Sequence, residues 1–289
     1  MSSTSDGQVA PPDGQVAPPD GQVAPPDGQV APPDGQVAPP DGRGRPPDGQ
    51  VAPPDGQVAP PDGRGGPHAF VLDLGRPELS DDDRHHLARV LRTRPGDTLT
   101  VSDGVGGWRA CRFGDELEPL GEIVRTTAPG ASLTVAFALV KAGRPELIVQ
   151  KLTELGIDRI VPFVAARSVV RWDDDKAARQ AERLDRVARE ASMQSRRCFL
   201  PEVSAPTTFA AASGLAGAVL AERDGRSPDR GTRVVLVGPE GGWTEDERCS
   251  VSDHVGFGAH VLRSETAALA VAAILGALRA GLVAPAART

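Results

Sequence analysis

The sequence contains no run of eighteen apolar residues, so no membrane-spanning helix is expected. It also has no basic stretch followed by an apolar stretch near its start, so no secretory leader is expected either. Cysteine is scarce. Cys111, Cys198 and Cys249 stand far apart and match no metal-binding or redox spacing, which points to free thiols in a cytoplasmic protein and to no metal site. Lysine is scarce too: residues 68–289 hold all 3 Lys of the chain against 26 Arg. Arginine is the better residue for forked contacts to phosphate. A GC-rich genome gives the same excess, so the ratio alone assigns no partner.

Most of the first quarter of the chain is a repeat. Residues 6–61 form eight seven-residue units, DGQVAPP throughout except DGRGRPP at 41–47, and DGRGGP closes the tract at Gly66–Pro67. A seven-residue period suits a coiled coil, but two prolines and a glycine per unit forbid a helix, and Val and Ala alone supply no buried seam. The three-residue period of collagen is absent as well. Such a composition cannot offset the entropy of ordering, so residues 1–67 are expected to be disordered with local polyproline-II character. A tether, an array of weak binding motifs and a dispensable appendage are the readings open to it, and we favour the appendage. Its nine Asp and three Arg account for −6 of the net charge of −7, so the remainder is nearly neutral and the acidic balance says little about its partner.

Residues 68–130 read as a small β-rich unit with one helix. AFVLDL at 69–74 is a short strand. Ser80 caps a helix that opens with Asp81, Asp82 and Asp83, the favourable place for acids, and continues through HHLARVLR until Pro95–Gly96 stops it. Strands are expected near 98–101, 107–113 and 120–127, separated by glycine turns.

From 131 to 289 strand and helix alternate. SLTVAFALV (132–140) is apolar throughout, as a strand covered on both faces requires. The next helix opens at Pro145, is expected to bury Leu147, Ile148, Leu152 and Leu155, and ends at Gly156. A strand at 157–164 and a long Arg-rich helix at about 174–195 follow. Further strands are expected at 217–222, 233–237 and 259–262, with helices near 206–212, 244–252 and 265–280. This rhythm gives an α/β domain with a mostly parallel sheet.

Two segments carry chemistry. In VVLVGPEGGWTEDE (234–247) a buried strand runs into Gly238-Pro239-Glu240-Gly241-Gly242, and a helix then starts with Thr244 and Glu247 at capping-box spacing. Glycines at the carboxyl end of a strand let backbone approach a ligand, although an ordinary turn would have the same spacing. No Lys-Ser/Thr follows, which argues against a nucleoside-triphosphate site. In HVLRSETAALAVAAILGAL (260–278) charged Arg263 and Glu265 stand at the mouth of an almost wholly apolar helix, suited to a core or a subunit interface. Charges there are costly unless used or paired; the two could also pair with each other or cap the helix.

Together these segments resemble the 16S rRNA uracil-N3-methyltransferase family of the SPOUT superfamily. HHLARVLR at 85–92, GD at 96–97, DG at 103–104 and QKLTELGIDRIVPFVAARSV at 150–169 agree in order, as do Glu190, Ala191 and Gln194 within RVAREASMQSRR. The resemblance covers residues 68–285. It implies a PUA-like barrel (68–130), a trefoil-knotted methyltransferase domain (131–289), a homodimer, and S-adenosylmethionine held by Val237, Gly238, Gly241, Gly242, Leu262, Arg263, Thr266 and Ala267. Trp243 stands where the family more often has a smaller residue, and Lys141–Glu146 fits its basic segment only loosely.

Methylation at N3 of uracil needs a lost proton, an aligned nitrogen and stabilised charge on the uracil oxygens. Arg263 is the candidate for that stabilisation, and Glu265 or Glu240 for the general base. A paired base hides N3, so the uridine must be unpaired or flipped out. For RNA contacts the candidates are His86, Arg89 and Arg92 on the first helix, Lys141 and Arg167 at strand ends, and Arg197 on the long helix. Adjacent His85 and His86 point apart on a helix and form no metal pair. The expected partner is the small ribosomal subunit, without DNA or membrane. A ribose 2′-O-methyltransferase of the same superfamily and a non-catalytic ribosome-assembly factor are the alternatives.

Overall fold

The computed structural model describes residues 66–141 and 144–284. The repeat tract up to residue 65, and with it the expectation of disorder, lies outside the described residues.

Four strands form the first sheet: β1 (His68–Phe70), β2 (Thr98–Ser102), β3 (Gly107–Arg112) and β4 (Glu118–Arg125), in that spatial order. β1 runs parallel to β2, and the other pairs are antiparallel. Alternate residues Leu99 and Val101 join Ala69, Phe70, Cys111 and Phe113 in one apolar core. The expected strand at 69–74 stops pairing early, because Leu72 turns fully into solvent. Helix α1 (Asp81–His85) is capped as expected, with Ser80 Oγ accepting from the Asp83 amide at 3.1 Å. It does not continue as a regular helix. His86–Val90 widen into a π-type turn in which the Leu91 amide donates to the His86 carbonyl at 3.1 Å. Leu87 is thereby buried, Arg92 takes a left-handed φ of 55°, and Pro95 bars another turn.

The second sheet contains β5 (Thr134–Ala138), β6 (Arg159–Val164), β7 (Glu202–Val203), β8 (Thr207–Thr208), β9 (Ala218–Arg226), β10 (Val234–Val237) and β11 (His254–Val255). Their order is β11-β9-β10-β5-β6-β7, with β8 also on β6, and every pair is parallel. Helices α2 (Arg144–Glu154), α3 (Asp174–Gln194), α4 (Phe209–Ser213), α5 (Glu245–Ser250) and α6 (Ser264–Arg279) connect and cover it. The period of two along β5 explains its unbroken apolar sequence. Val135 and Phe137 pack with Ile148, Leu152, Leu184 and Val271, whereas Ala136 and Ala138 pack on the other face with Phe163 and Trp243.

Two expectations are corrected here. On α2 the buried stripe is Pro145, Ile148, Val149 and Leu152, a regular one-face spacing, while Leu147 and Leu155 face outward. The segment 259–262 is not a strand. The chain leaves the sheet after Val255, where β9 and β11 approach so closely that a Cβ on Gly225 would lie 2.5 Å from the Val255 nitrogen, and Val261 ends up exposed.

Helix α3 ties the two sheets together. Arg189 donates to the Phe70 carbonyl and to Asp83 (3.1 and 2.7 Å), and its guanidinium lies 5.2 Å from the centre of the Phe70 ring. Met193 completes the smaller core. All three cysteines are free. No helix among the described residues is long and apolar enough to cross a membrane, and no His/Cys/Asp/Glu group among them suits a metal ion.

Candidate functional site

Open parallel sheets bind ligands beyond the carboxyl ends of their strands. There, after β10, the segment Gly238–Gly242 turns across the sheet edge beside a cavity of about 440 Å3. The wall opposite is the loop 257–262, and Ala267 and Val271 of α6 contribute apolar surface. The two sequence segments singled out for chemistry therefore meet. Ser264, buried at the start of α6, donates its hydroxyl to the Gly238 carbonyl at 2.8 Å.

The loop has little freedom. Gly242 has φ +69°, a conformation that glycine adopts without strain, and a Cβ at Gly238 would press to 3.0 Å on the Trp243 indole. Trp243 is the floor: its ring lies parallel to Phe163 with centroids 6.2 Å apart, and Nε1 donates to the Ala221 carbonyl at 3.2 Å. From the β6 side Arg167 donates to the carbonyls of Gly241 and Trp243 (3.0 and 3.1 Å). The expected capping box is present between Thr244 and Glu247. Its second carboxylate oxygen accepts from the Ala166 amide at 2.8 Å, so one buried Glu247 fixes both α5 and the loop holding Arg167.

The sequence-derived candidates fall into three groups. Val237, Gly238, Gly242, Leu262 and Ala267 line the cavity. Gly241 is held by Arg167 beside it, while Arg263 and Thr266 are exposed at the first turn of α6, where Arg263 is the N-cap residue. Glu240 and Glu265 converge on a residue the sequence reading passed over. Arg144 Nη1 lies 3.2 Å from Glu240 Oε1 and 3.6 Å from Glu265 Oε1. Glu265 thus pairs with Arg144 rather than with Arg263. Its Oε2 is buried with no hydrogen-bond partner among the described residues. A basic residue at the start of a helix, straight after a strand that ends at the ligand edge, was the available signal.

The RNA candidates divide as well. Arg89, Arg92 and Lys141 are exposed, and His86 is half-buried. Arg167 is occupied with the glycine loop, as described. Arg197 is corrected: it is mostly buried, and its guanidinium donates to the carbonyls of Thr153 and Ile157 (2.7 and 2.8 Å) and to Asp158 at 3.3 Å. These bonds make it an internal tie between the segment after α3, the end of α2 and the turn before β6, since a buried guanidinium must satisfy its donors locally. A larger cavity of about 920 Å3 lies between α1 and α3, and its walls mix acids such as Asp82, Glu182 and Glu190 with His86, Arg186 and Arg196. No glycine loop at a strand end borders it, so the smaller cavity at the sheet edge is the candidate site for a cofactor.

The RNA methyltransferase domain family matches residues 127–276, and the RNA methyltransferase PUA domain family matches residues 79–116. Ribosomal RNA small subunit methyltransferase E of Mycobacterium bovis is 33% identical over 225 residues, 68% of this chain and 84% of that protein. The protein of the same description from Bacillus subtilis is 31% identical, covering 66% of this chain and 86% of its own length. The crystal structure of a ribosomal RNA small subunit methyltransferase E from Neisseria gonorrhoeae, bound to S-adenosyl methionine, superposes with a TM-score of 0.62 at 27% identity. That match covers 74% of this chain and 98% of the other. The chain belongs to the RNA methyltransferase family that includes the small-subunit ribosomal RNA methyltransferases E.

Proposed function

We propose that this protein methylates N3 of a uridine in the 16S RNA of the small ribosomal subunit, with S-adenosylmethionine as the methyl donor. The observation that carries the reading is the joining of the glycine loop and the Arg263–Thr266 segment around one cavity, through Ser264 and Gly238. The cavity suits a nucleoside-sized ligand. The absence of side chains at Gly238, Gly241 and Gly242 leaves backbone accessible to it, and Val237, Leu262, Arg263, Thr266 and Ala267 complete the set that would hold the donor. When bound there, the donor supplies an electrophilic methyl group.

The protein's own residues have three tasks. Arg263, exposed at the mouth of α6, offsets negative charge that spreads onto the uracil oxygens. Glu265 or Glu240 accepts the N3 proton, the electron pair remaining on nitrogen; Glu265 Oε2 has the free acceptor capacity for this. Arg89, Arg92 and Lys141 contact phosphates and orient the RNA without reading sequence. Residues 68–130 act as the RNA-holding part and 131–289 as the knotted catalytic part, in the cytoplasm. Two chains associate through the outer side of α6, where Leu269 and Ile274 are half-exposed although Ala268, Val271 and Leu275 on the other side are buried.

The test is transfer of labelled methyl from S-adenosylmethionine to small ribosomal subunits, followed by nucleoside analysis. The expected product is 3-methyluridine. A 2′-O-methylnucleoside would overturn the assignment of the target atom. A folded protein that binds neither the donor nor transfers methyl would point to a non-catalytic assembly factor.

A further inference from the structure

We propose that Arg144 is a positioning residue for this reaction, a clamp that holds Glu240 of the glycine loop and Glu265 of α6 in one fixed arrangement. The inference rests on the methyl-transfer reading above and adds to it a residue outside both sequence motifs. Arg144 is the first residue of α2 and is anchored to the core through the buried Pro145 and Ile148 that follow it. Its Nη1 reaches Glu240, 96 residues away in sequence, at 3.2 Å, and Glu265 at 3.6 Å. One guanidinium therefore ties three chain segments that meet at the mouth of the cavity.

Fold stability does not account for this arrangement. The Arg144 and Glu240 side chains are each 37% exposed, Glu265 is 16% exposed but stands 3.6 Å away, and ion pairs so exposed or so long add little to stability. Geometry accounts for it better. Two carboxylates repel each other unless a cation stands between them. With Arg144 engaging Oε1 of each, Glu265 Oε2 is left buried and unpartnered, and an unsatisfied buried acceptor calls for a reason. A substrate N–H supplies the missing donor. Both contacts are made by the one Nη1, so a lysine ammonium, also a single nitrogen with several donors, is able to keep part of the clamp.

The test combines a measurement on the protein alone with kinetics on small ribosomal subunits. In Arg144→Gln, hydrogen exchange at the amides of Gly241 and Gly242 is expected to speed up roughly tenfold without any ligand. Its kcat is expected to fall roughly thirtyfold with KM changed by less than about threefold. Arg144→Lys is expected to recover part of kcat. In a Glu265→Gln background, Arg144→Gln is expected to cost little more, since the two act as a unit. Unchanged exchange together with unchanged kcat would overturn the proposal, as would losses that simply add in the double variant. A rise in KM alone would make Arg144 an RNA contact instead. Should the unaltered protein transfer no methyl at all, the functional reading fails, and the exchange comparison still decides whether Arg144 holds the loop.

Discussion

Ser264 donates its hydroxyl to the carbonyl of Gly238 across 26 residues of sequence, and this bond joins the end of β10 to the start of α6. The carbonyl would otherwise lack a donor next to an apolar wall. Replacing Ser264 by Ala leaves that oxygen unsatisfied, at about 1–2 kcal/mol. We expect S-adenosylmethionine affinity, measured by calorimetry, to fall by roughly five- to thirtyfold. Unchanged affinity would mean that the loop keeps its shape without the bond.

The two glycines of the loop are expected to differ. A Cβ at Gly238 meets the Trp243 ring at 3.0 Å, which is packed against Phe163 and cannot move freely. At Gly242 there is nothing within 4 Å, and the cost is the left-handed φ of +69° alone, about 1 kcal/mol. Gly238→Ala should therefore weaken cofactor binding more than Gly242→Ala. Thermal melts with and without the cofactor would show the ranking, and the reverse order would refute the steric argument.

Arg197 and Arg89 provide a contrast between structure and RNA. Arg197→Ala removes donors from the carbonyls of Thr153 and Ile157 and leaves Asp158 with Arg279 as its cation. A loss of about 3 kcal/mol in unfolding free energy is expected from breaking a buried pair of this kind. Arg89→Ala, on an exposed site, should leave stability within about 0.5 kcal/mol and lower the salt dependence of RNA binding. Urea titrations and filter binding at several salt concentrations separate the two.

Acid sensitivity is expected at His68. Burial holds its imidazole down at about pKa 4, against an ordinary value of 6.5, and the charge of Arg196 acts in the same direction. The folded protein keeps the ring neutral, whereas the unfolded chain takes up a proton below about pH 6.5. Its contribution to stability is full above that pH and is lost as the pH falls toward about 4, by about 3 kcal/mol. Denaturation curves between pH 7 and 4 should show this loss in the unaltered protein and a smaller one in His68→Gln. Equal slopes would remove His68 as the cause.

Much of this architecture was legible in the sequence, for reasons particular residues make clear. Ser80, Thr244 and Glu247 announced their helix starts because capping is a local interaction. β5 and β10 were legible because strands covered on both faces have no polar alternation. The candidate site was read from glycines at a strand end, whose meaning is also local. Other features depended on distant partners. Arg197 resembles Arg186 in sequence, and only the carbonyls of Thr153 and Ile157 distinguish its role. Residues 259–262 have strand-like composition but no neighbouring strand to pair with. Arg144 required knowledge of where Glu240 and Glu265 lie in space.

The parts of the cavity come from far along the chain: Arg167 after β6, Ala221 on β9, the loop after β10, and lastly Ser264 and Ala267 on α6. During synthesis the first of these leave the ribosome roughly 100 residues before the last, at about 5–20 residues per second. A nascent chain therefore cannot assemble this cavity until α6 has emerged and closed against the sheet. Shortened products that stop before residue 264 are expected to lack the Ser264–Gly238 bond and the α6 wall of the cavity, however well their first sheet folds.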